Sequence, residues 1–367
     1  MASNNNNNKG LVLLTGATGH VGFAVLLKAL EQGYKVRVVL RDMGKEDLIR
    51  SSDAVKRALS SVDDTPQLSF VSVPDVTLPG AFDSAMKDIT YVVHVASPIP
   101  RGASKDPQAE LIDPAVKGTA NVLHSAREAA SVRRVVITSS TSAIVNYHFP
   151  PAPGTRVAPS DRQPDYHFPD VAACSGNEAY SAAKTAALNA TDAFLLAGGD
   201  LHFDVVNIMP TYVFGPKGLA TSPEAVISGS NIFGIGLALV KQPWGSVCIE
   251  SVSCHVDDVA EAHVQALSHD ESGRLPLRVG THRDFILAVP FKPEEVREIV
   301  AKTFPKELWE DGEAAFGGTG TYEWYHTEFE VSATEGLLGH KLKGLEEQIC
   351  ASGAQVLRIV EASQGHG

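Results

Sequence analysis

The sequence predicts an α/β fold built on a doubly wound parallel sheet. Three observations carry this expectation. Short aliphatic and β-branched runs recur along the first two-thirds of the chain, and stretches of helical length separate them. The first run turns into the first helix through a glycine-rich segment, Thr15-Gly16-Ala17-Thr18-Gly19-His20-Val21-Gly22. Strands that alternate with helices of this size pair in parallel through right-handed crossovers.

Taken in order, Leu11 to Leu14 is an aliphatic run suited to a strand buried on both faces. Phe23 to Gln32 reads as a helix closed by Gly33. Val36 to Leu40, Leu68 to Val73, Tyr91 to Val95, Val135 to Thr138 and Val205 to Met209 are the next strands, with Ala109 to Ala130 and Glu178 to Leu196 as helices among them. Beyond Met209 the texture changes. Pro210 to Trp244 is rich in Gly, Pro and Ser, and Phe285 to Tyr325 holds much of the aromatic content. A helix from about Asp257 to Ser268, with Asp257 as its N-cap, is expected to pack back on the sheet. The expected organisation is therefore a disordered polar tail at 1–8 and a nucleotide-binding domain at 9–209, with 251–270 packed back on it. A smaller, discontinuous α/β substrate-binding lobe takes 210–250 and 271–362.

Composition narrows the function. At about 150 residues per domain, 367 residues suggest two lobes. The formal net charge of −12 opposes nucleic-acid phosphates and anionic lipid, so neither is an expected partner. No apolar run approaches the roughly 20 residues of a membrane span. Four cysteines without a C-x-x-C pair fit a reducing compartment, and the Asn-rich start has no signal-peptide character, so a cytoplasmic location is expected. His255, Asp257, Asp258 and His263 lack zinc-ligand spacing, and no metal is expected. Lys56-Arg57 and Arg133-Arg134 read as solvated faces.

The chemistry concentrates in two places. Gly16, Gly19 and Gly22 lie where the first strand becomes the first helix, the context in which backbone N–H groups approach a pyrophosphate. At the end of the second strand, an NAD site places an acidic residue on the ribose 2′-hydroxyl. This chain has Arg41 there, then Asp42 and Lys45. A guanidinium fork with a second cation suits a 2′-phosphate, so NADP(H) is the expected cofactor, with Asp42 as the competing acidic candidate. The second place is Tyr180-Ser181-Ala182-Ala183-Lys184. Residues i and i+4 share a helix face, and an ammonium beside a phenol stabilises phenolate, tuning Tyr180 as a general acid. Thr138-Ser139-Ser140 ends a buried strand at the sheet edge where ligands bind.

These residues resemble the extended short-chain dehydrogenase/reductases, nearest the branch of dihydroflavonol reductases, cinnamoyl-CoA reductases and fungal aldehyde and ketone reductases. The glycine turn, Asp75-Val76, the His94 to Pro98 segment, the Asp113 to Thr119 segment, the Thr138 to Ser140 run, the Tyr180 to Lys184 motif, Pro210 with Phe214 to Pro216, and His255 to Val259 carry the resemblance in family order. It implies a Rossmann-type sheet and a Ser-Tyr-Lys site, with Ser140 holding a carbonyl oxygen, Tyr180 donating the proton and Lys184 also bonding the nicotinamide ribose. Ser139, Thr141 and Ser142 rank below Ser140. By the same resemblance Gly16, Thr18, Gly19, His20, Val21 and Gly22 line the pyrophosphate, and Arg41 meets the 2′-phosphate. Asp75 and Val76 meet the adenine, Val95, Ala96 and Ser97 the middle of the cofactor, and Pro210 and Val213 the carboxamide. The implied protein is a carbonyl reductase of specialised-metabolite biosynthesis acting on a small molecule, as monomer or homodimer. A nucleotide-sugar epimerase or dehydratase, and a non-catalytic NADP-sensing protein, are the competing readings. Tyr147 to Asn177 matches no family segment and is expected to border the substrate pocket.

Overall fold

The computed structural model describes residues 9–59, 66–99, 106–145, 151–152, 154–164, 176–239, 248–268, 275–305 and 323–364. The tail at 1–8 lies outside them. The six expected strands and a seventh that the sequence reading missed form one sheet: β1 (Leu11–Thr15), β2 (Lys35–Leu40), β3 (Leu68–Ser72), β4 (Tyr91–His94), β5 (Arg134–Thr138), β6 (Asp204–Pro210) and, the one not expected, β7 (His282–Leu287). Their spatial order is β7-β6-β5-β4-β1-β2-β3, the doubly wound order in which the chain reverses direction across the sheet between β1 and β4. The register is parallel along β3-β2-β1-β4-β5, with Leu13 opposite both Arg37 and Val92. It also aligns the strand ends. Thr15 pairs with His94 and His94 with Ile137, so Thr15, His94 and Thr138 finish at one carboxyl edge.

Helices α1 (His20–Glu31), α2 (Asp113–Glu128), α3 (Gly176–Ala197) and α4 (Val256–Gln265) fall near the expected spans, with instructive differences. The first begins three residues early, so His20, Val21 and Gly22 belong to its first turn. The expected helix over 109–130 divides into a π-helical turn, Gln108–Ile112, and α2. Pro114 explains this, because it has no N–H to continue an α-helical ladder. Asp257 is not an N-cap. The chain passes from the strand Val252–His255 directly into α4, and the His255 Nδ1 accepts the Asp257 N–H at 3.0 Å instead.

The chain forms two compact units. The first comprises 1–138, 164–207 and 263–283, and the second 139–163, 208–262 and 284–367. These boundaries differ from the expected lobes: 139–163 and 251–262 cluster in the second unit and 271–283 in the first. The first unit is cored by aliphatic residues such as Leu13, Val92, Leu123, Val135 and Val205 with Phe82 and Phe203. The second is cored by Phe214, Ile235, Leu237, Phe291, Val296 and Ile349. One expectation about charge fails in the first unit. Arg133 is exposed, but Arg134 is fully buried and pairs with Asp204 through two bonds, 2.6 and 2.8 Å long. Its NH1 group donates to the carbonyls of Ala266, Ser268 and Leu275, so a fixed cation holds that segment to the start of β5. Among the described residues no helix is long and apolar enough to cross a membrane.

Candidate active site

The glycine turn is shaped by close backbone approach. Gly16 has φ +77°, and a Cβ there would lie 2.8 Å from the Ala96 nitrogen. A Cβ on Gly22 would run into the Gly16 carbonyl. Neither position tolerates a side chain, and Gly19 closes the turn by donating to the Gly16 carbonyl at 2.9 Å. The first strand, the first turn of α1 and the loop after β4 are thereby held together around a concave backbone cradle. This geometry fits a pyrophosphate, which needs main-chain approach that no Cβ obstructs.

Thr15 and His94 lock the same cradle from beneath. The Thr15 hydroxyl accepts the N–H groups of Val95 and Ala96, each at 3.1 Å, and lies 3.0 Å from His94 Nδ1. With both lone pairs occupied, its proton goes to Nδ1, which makes His94 a neutral imidazole protonated on Nε2. Burial, reinforced by the charge of Lys184, depresses the His94 pKa to about 4. Further along the edge, Asn121 on α2 donates to the Val76 and Leu78 carbonyls, both at 2.9 Å, fixing the Asp75-Val76 loop. Asp75 Oδ1 accepts from the N–H and hydroxyl of Thr77, and these bonds lower its pKa. Arg41 and Lys45 are exposed beyond the end of β2. The Asp42 side chain is turned locally, accepting the Gly44 N–H at 2.9 Å.

The tyrosine and lysine lie on α3, whose small face, Ala179, Ala182 and Ala183, packs with Leu111, Ile112 and Ala115. Small residues let that helix sit close, which draws Lys184 inside. It is 6% exposed, and its Nζ donates to the Thr138 carbonyl at 3.0 Å and lies 5.8 Å from the centre of the Tyr180 ring. Burial lowers the Lys184 pKa to about 8. The first unit therefore brings together the glycine turn, Ala96, Tyr180 and Lys184, together with two residues sequence reasoning did not single out, Thr15 and Asn121.

The second unit holds the serine. Ser140 is buried and caps the short 3-10 turn Thr141–Ala143: its Oγ accepts the Ser142 N–H at 3.1 Å and points toward the Pro210 carbonyl 3.5 Å away. Ser140 and Pro210, both implied by the family resemblance, thus meet, while Val213 is buried in the strand Tyr212–Phe214. Four residues beyond Ser140, Ile144 and Val145 begin the wall of a cavity of about 390 Å³ completed by Pro151, Val157, Arg162 and Gln163, among others. Cys254 in this unit is no nucleophile, since burial pushes its thiol up to about 12. Among the described residues no group of His, Cys, Asp and Glu could hold a metal ion.

The sheet order and the glycine cradle define a protein of Rossmann architecture with a turn shaped for a dinucleotide. Residues 12–280 match the NAD dependent epimerase/dehydratase family, and the chain belongs to it, as its motifs suggested. It is 65% identical over 353 residues to the NAD-dependent epimerase/dehydratase ALT6 of Alternaria alternata, covering 96% of this chain and 99% of that one. It is 31% identical to the ketoreductase CTB6 of Cercospora beticola, with 97% of both chains covered. Among solved structures it resembles yeast methylglyoxal/isovaleraldehyde reductase Gre2 complexed with NADPH: 25% identity, TM-score 0.73, and coverage of 96% of this chain and 99% of that one.

Proposed function

We propose that this protein is an NADPH-dependent carbonyl reductase that converts a ketone or aldehyde to an alcohol with Ser140, Tyr180 and Lys184. The observation that carries the reading is Lys184, a buried ammonium tethered to the end of β5 and one helical turn from a tyrosine. Its charge favours the phenolate form, which suits Tyr180 to act as the proton donor. The Ser140 hydroxyl, oriented by its cap, donates to the carbonyl oxygen and stabilises the charge that develops there. With its pyrophosphate in the glycine cradle, NADPH would supply the hydride that the carbonyl carbon accepts as Tyr180 protonates the oxygen. Gly16, Thr18, Gly19, His20, Val21 and Gly22 hold the pyrophosphate. Asp75 and Val76 hold the adenine, Val95 to Ser97 the central part, and Pro210 and Val213 the carboxamide.

NADPH is favoured over NADH because Arg41 and Lys45 are exposed at the ribose end while Asp42 is occupied by its own turn. A ketoreductase among the relatives and an NADPH-bound reductase among the structural neighbours support the same reading. The setting it implies is specialised-metabolite biosynthesis in the cytoplasm, as monomer or homodimer. The epimerase reading draws on the name of the ALT6 relative. Against it stand Arg41, where such enzymes carry an acidic residue, and Thr141-Ser142-Ala143-Ile144 after Ser140, where they carry V-Y-G. A screen of NADPH oxidation across aromatic ketones, aldehydes, β-keto esters and α-dicarbonyls, with the alcohol identified by mass spectrometry, separates the two. Stoichiometric NADPH loss supports the reductase, and turnover of nucleotide sugars without net cofactor change overturns it.

A further inference from the structure

We propose that His263 is a positioning residue for Lys184, acting through Thr138. The inference rests on the catalytic reading above and extends it to a side chain that neither the motifs nor the proposed chemistry uses. Two hydrogen bonds converge on Thr138, the last residue of β5. Its carbonyl accepts from Lys184 Nζ at 3.0 Å, and its hydroxyl lies 2.7 Å from His263 Nε2. His263 is fully buried and Lys184 nearly so, while Thr138 between them is half-buried.

Threonine is stiff about χ1, so fixing the direction of its hydroxyl also restrains the backbone that carries it. The imidazole on α4 therefore restrains the carbonyl against which the lysine ammonium is set. Without that bond the Thr138 backbone loses one restraint, and the ammonium a fixed seat beside Tyr180. Displacements of about 1 Å in such an arrangement cost up to roughly 10²-fold in rate. Among the described residues, His94 on β4 and Tyr180 on its own helix also face Lys184. A merely structural His263 would change stability and leave the lysine where it is.

The test uses the full-length protein and four variants. His263→Leu removes the imidazole, Thr138→Val removes only the hydroxyl at nearly constant volume, Thr138→Ser keeps the hydroxyl, and Tyr180→Phe checks the underlying reading. In the cofactor-free protein labelled with ¹³C-lysine, the Lys184 Cε resonance is expected to move in His263→Leu and Thr138→Val and to stay in place in Thr138→Ser. In the holoenzyme the first two are expected to lose about tenfold in kcat with KM unchanged, and to shift the alkaline limb of the pH profile, while Thr138→Ser retains both. An unmoved lysine resonance with unchanged kcat in Thr138→Val, or an equal loss in Thr138→Ser, overturns the proposal even where Tyr180→Phe abolishes turnover. If Tyr180→Phe retains full turnover, the catalytic reading itself fails and the proposal with it.

Discussion

The Thr15 hydroxyl donates its proton to His94 Nδ1, a buried 3.0 Å bond between neighbouring strand ends that holds His94 as a neutral acceptor at neutral pH. The same hydroxyl anchors the backbone of Val95 and Ala96, the segment against which Gly16 is packed. One threonine thus ties the floor of the dinucleotide cradle to its side wall.

The bond has a pH consequence. The folded-state pKa of His94 lies near 4, below the usual value of 6.5. In the unfolded chain His94 binds a proton as pH falls through 6.5, whereas the folded protein resists until about 4. Stability is therefore lost on acidification across that window, on the order of 3 kcal/mol from this residue. Unfolding free energies measured from pH 7 to 4.5 should fall more steeply for the wild type than for His94→Asn. Parallel curves would show that His94 protonates freely in the folded state.

Lys184 gives an activity profile of the opposite sense. With its pKa lowered to about 8 by burial, it is charged below that pH and loses its proton above it. The reduction rate in the cofactor-bound enzyme is expected to decline as pH rises through the alkaline range, because the phenol of Tyr180 loses the neighbouring charge. Lys184→Met should abolish that limb along with most of the turnover. A profile that stays flat to pH 10 would exclude the role.

Much of this was legible in the sequence for a simple reason: its signals are local. An aliphatic run, a glycine turn and a Tyr-x-x-x-Lys helix each depend on residues within a few positions of one another, and β1, α1 and α3 formed accordingly. The features that escaped are long-range pairings. Nothing near Arg134 announces Asp204, 70 residues away, so a buried ion pair read as surface charge. Thr15 and Asn121 are unremarkable letters until the sheet brings His94 and the Val76 loop to them. Asp257 had the right chemistry for a cap, but the strand before it continued to His255 and moved the helix start.

Ser140 and its neighbours are separable. If Ser140 acts as proposed, Ser140→Ala removes a donor to the developing oxyanion, and the expected loss is about 10²-fold in kcat. It also removes the cap on the Ser142 N–H, lowering stability by about 1 kcal/mol. Ser142→Ala should be much milder in turnover. Steady-state kinetics of the two purified variants decide the assignment, and the reverse order would move the role to Ser142.

On the proposed reading, cofactor preference turns on Arg41. Losing one charged hydrogen bond to a 2′-phosphate, worth roughly 1.5–3 kcal/mol, should weaken NADPH binding about 10- to 150-fold. Arg41→Asp is therefore expected to erase or reverse the preference for NADPH while leaving NADH little changed. Dissociation constants of both cofactors for both proteins test this. Tighter NADH binding by the wild type would reopen the epimerase reading.

The most direct test of carbonyl reduction through the Tyr–Lys pair is Tyr180→Phe, measured as single-turnover reduction of the best substrate with NADPH already bound. The ring and the fold of α3 are kept, and only the proton donor is removed. The account predicts NADPH affinity close to wild type and a rate lower by about 10²–10⁴-fold, the contribution expected of a general acid. A rate equal to wild type at full NADPH occupancy would contradict it.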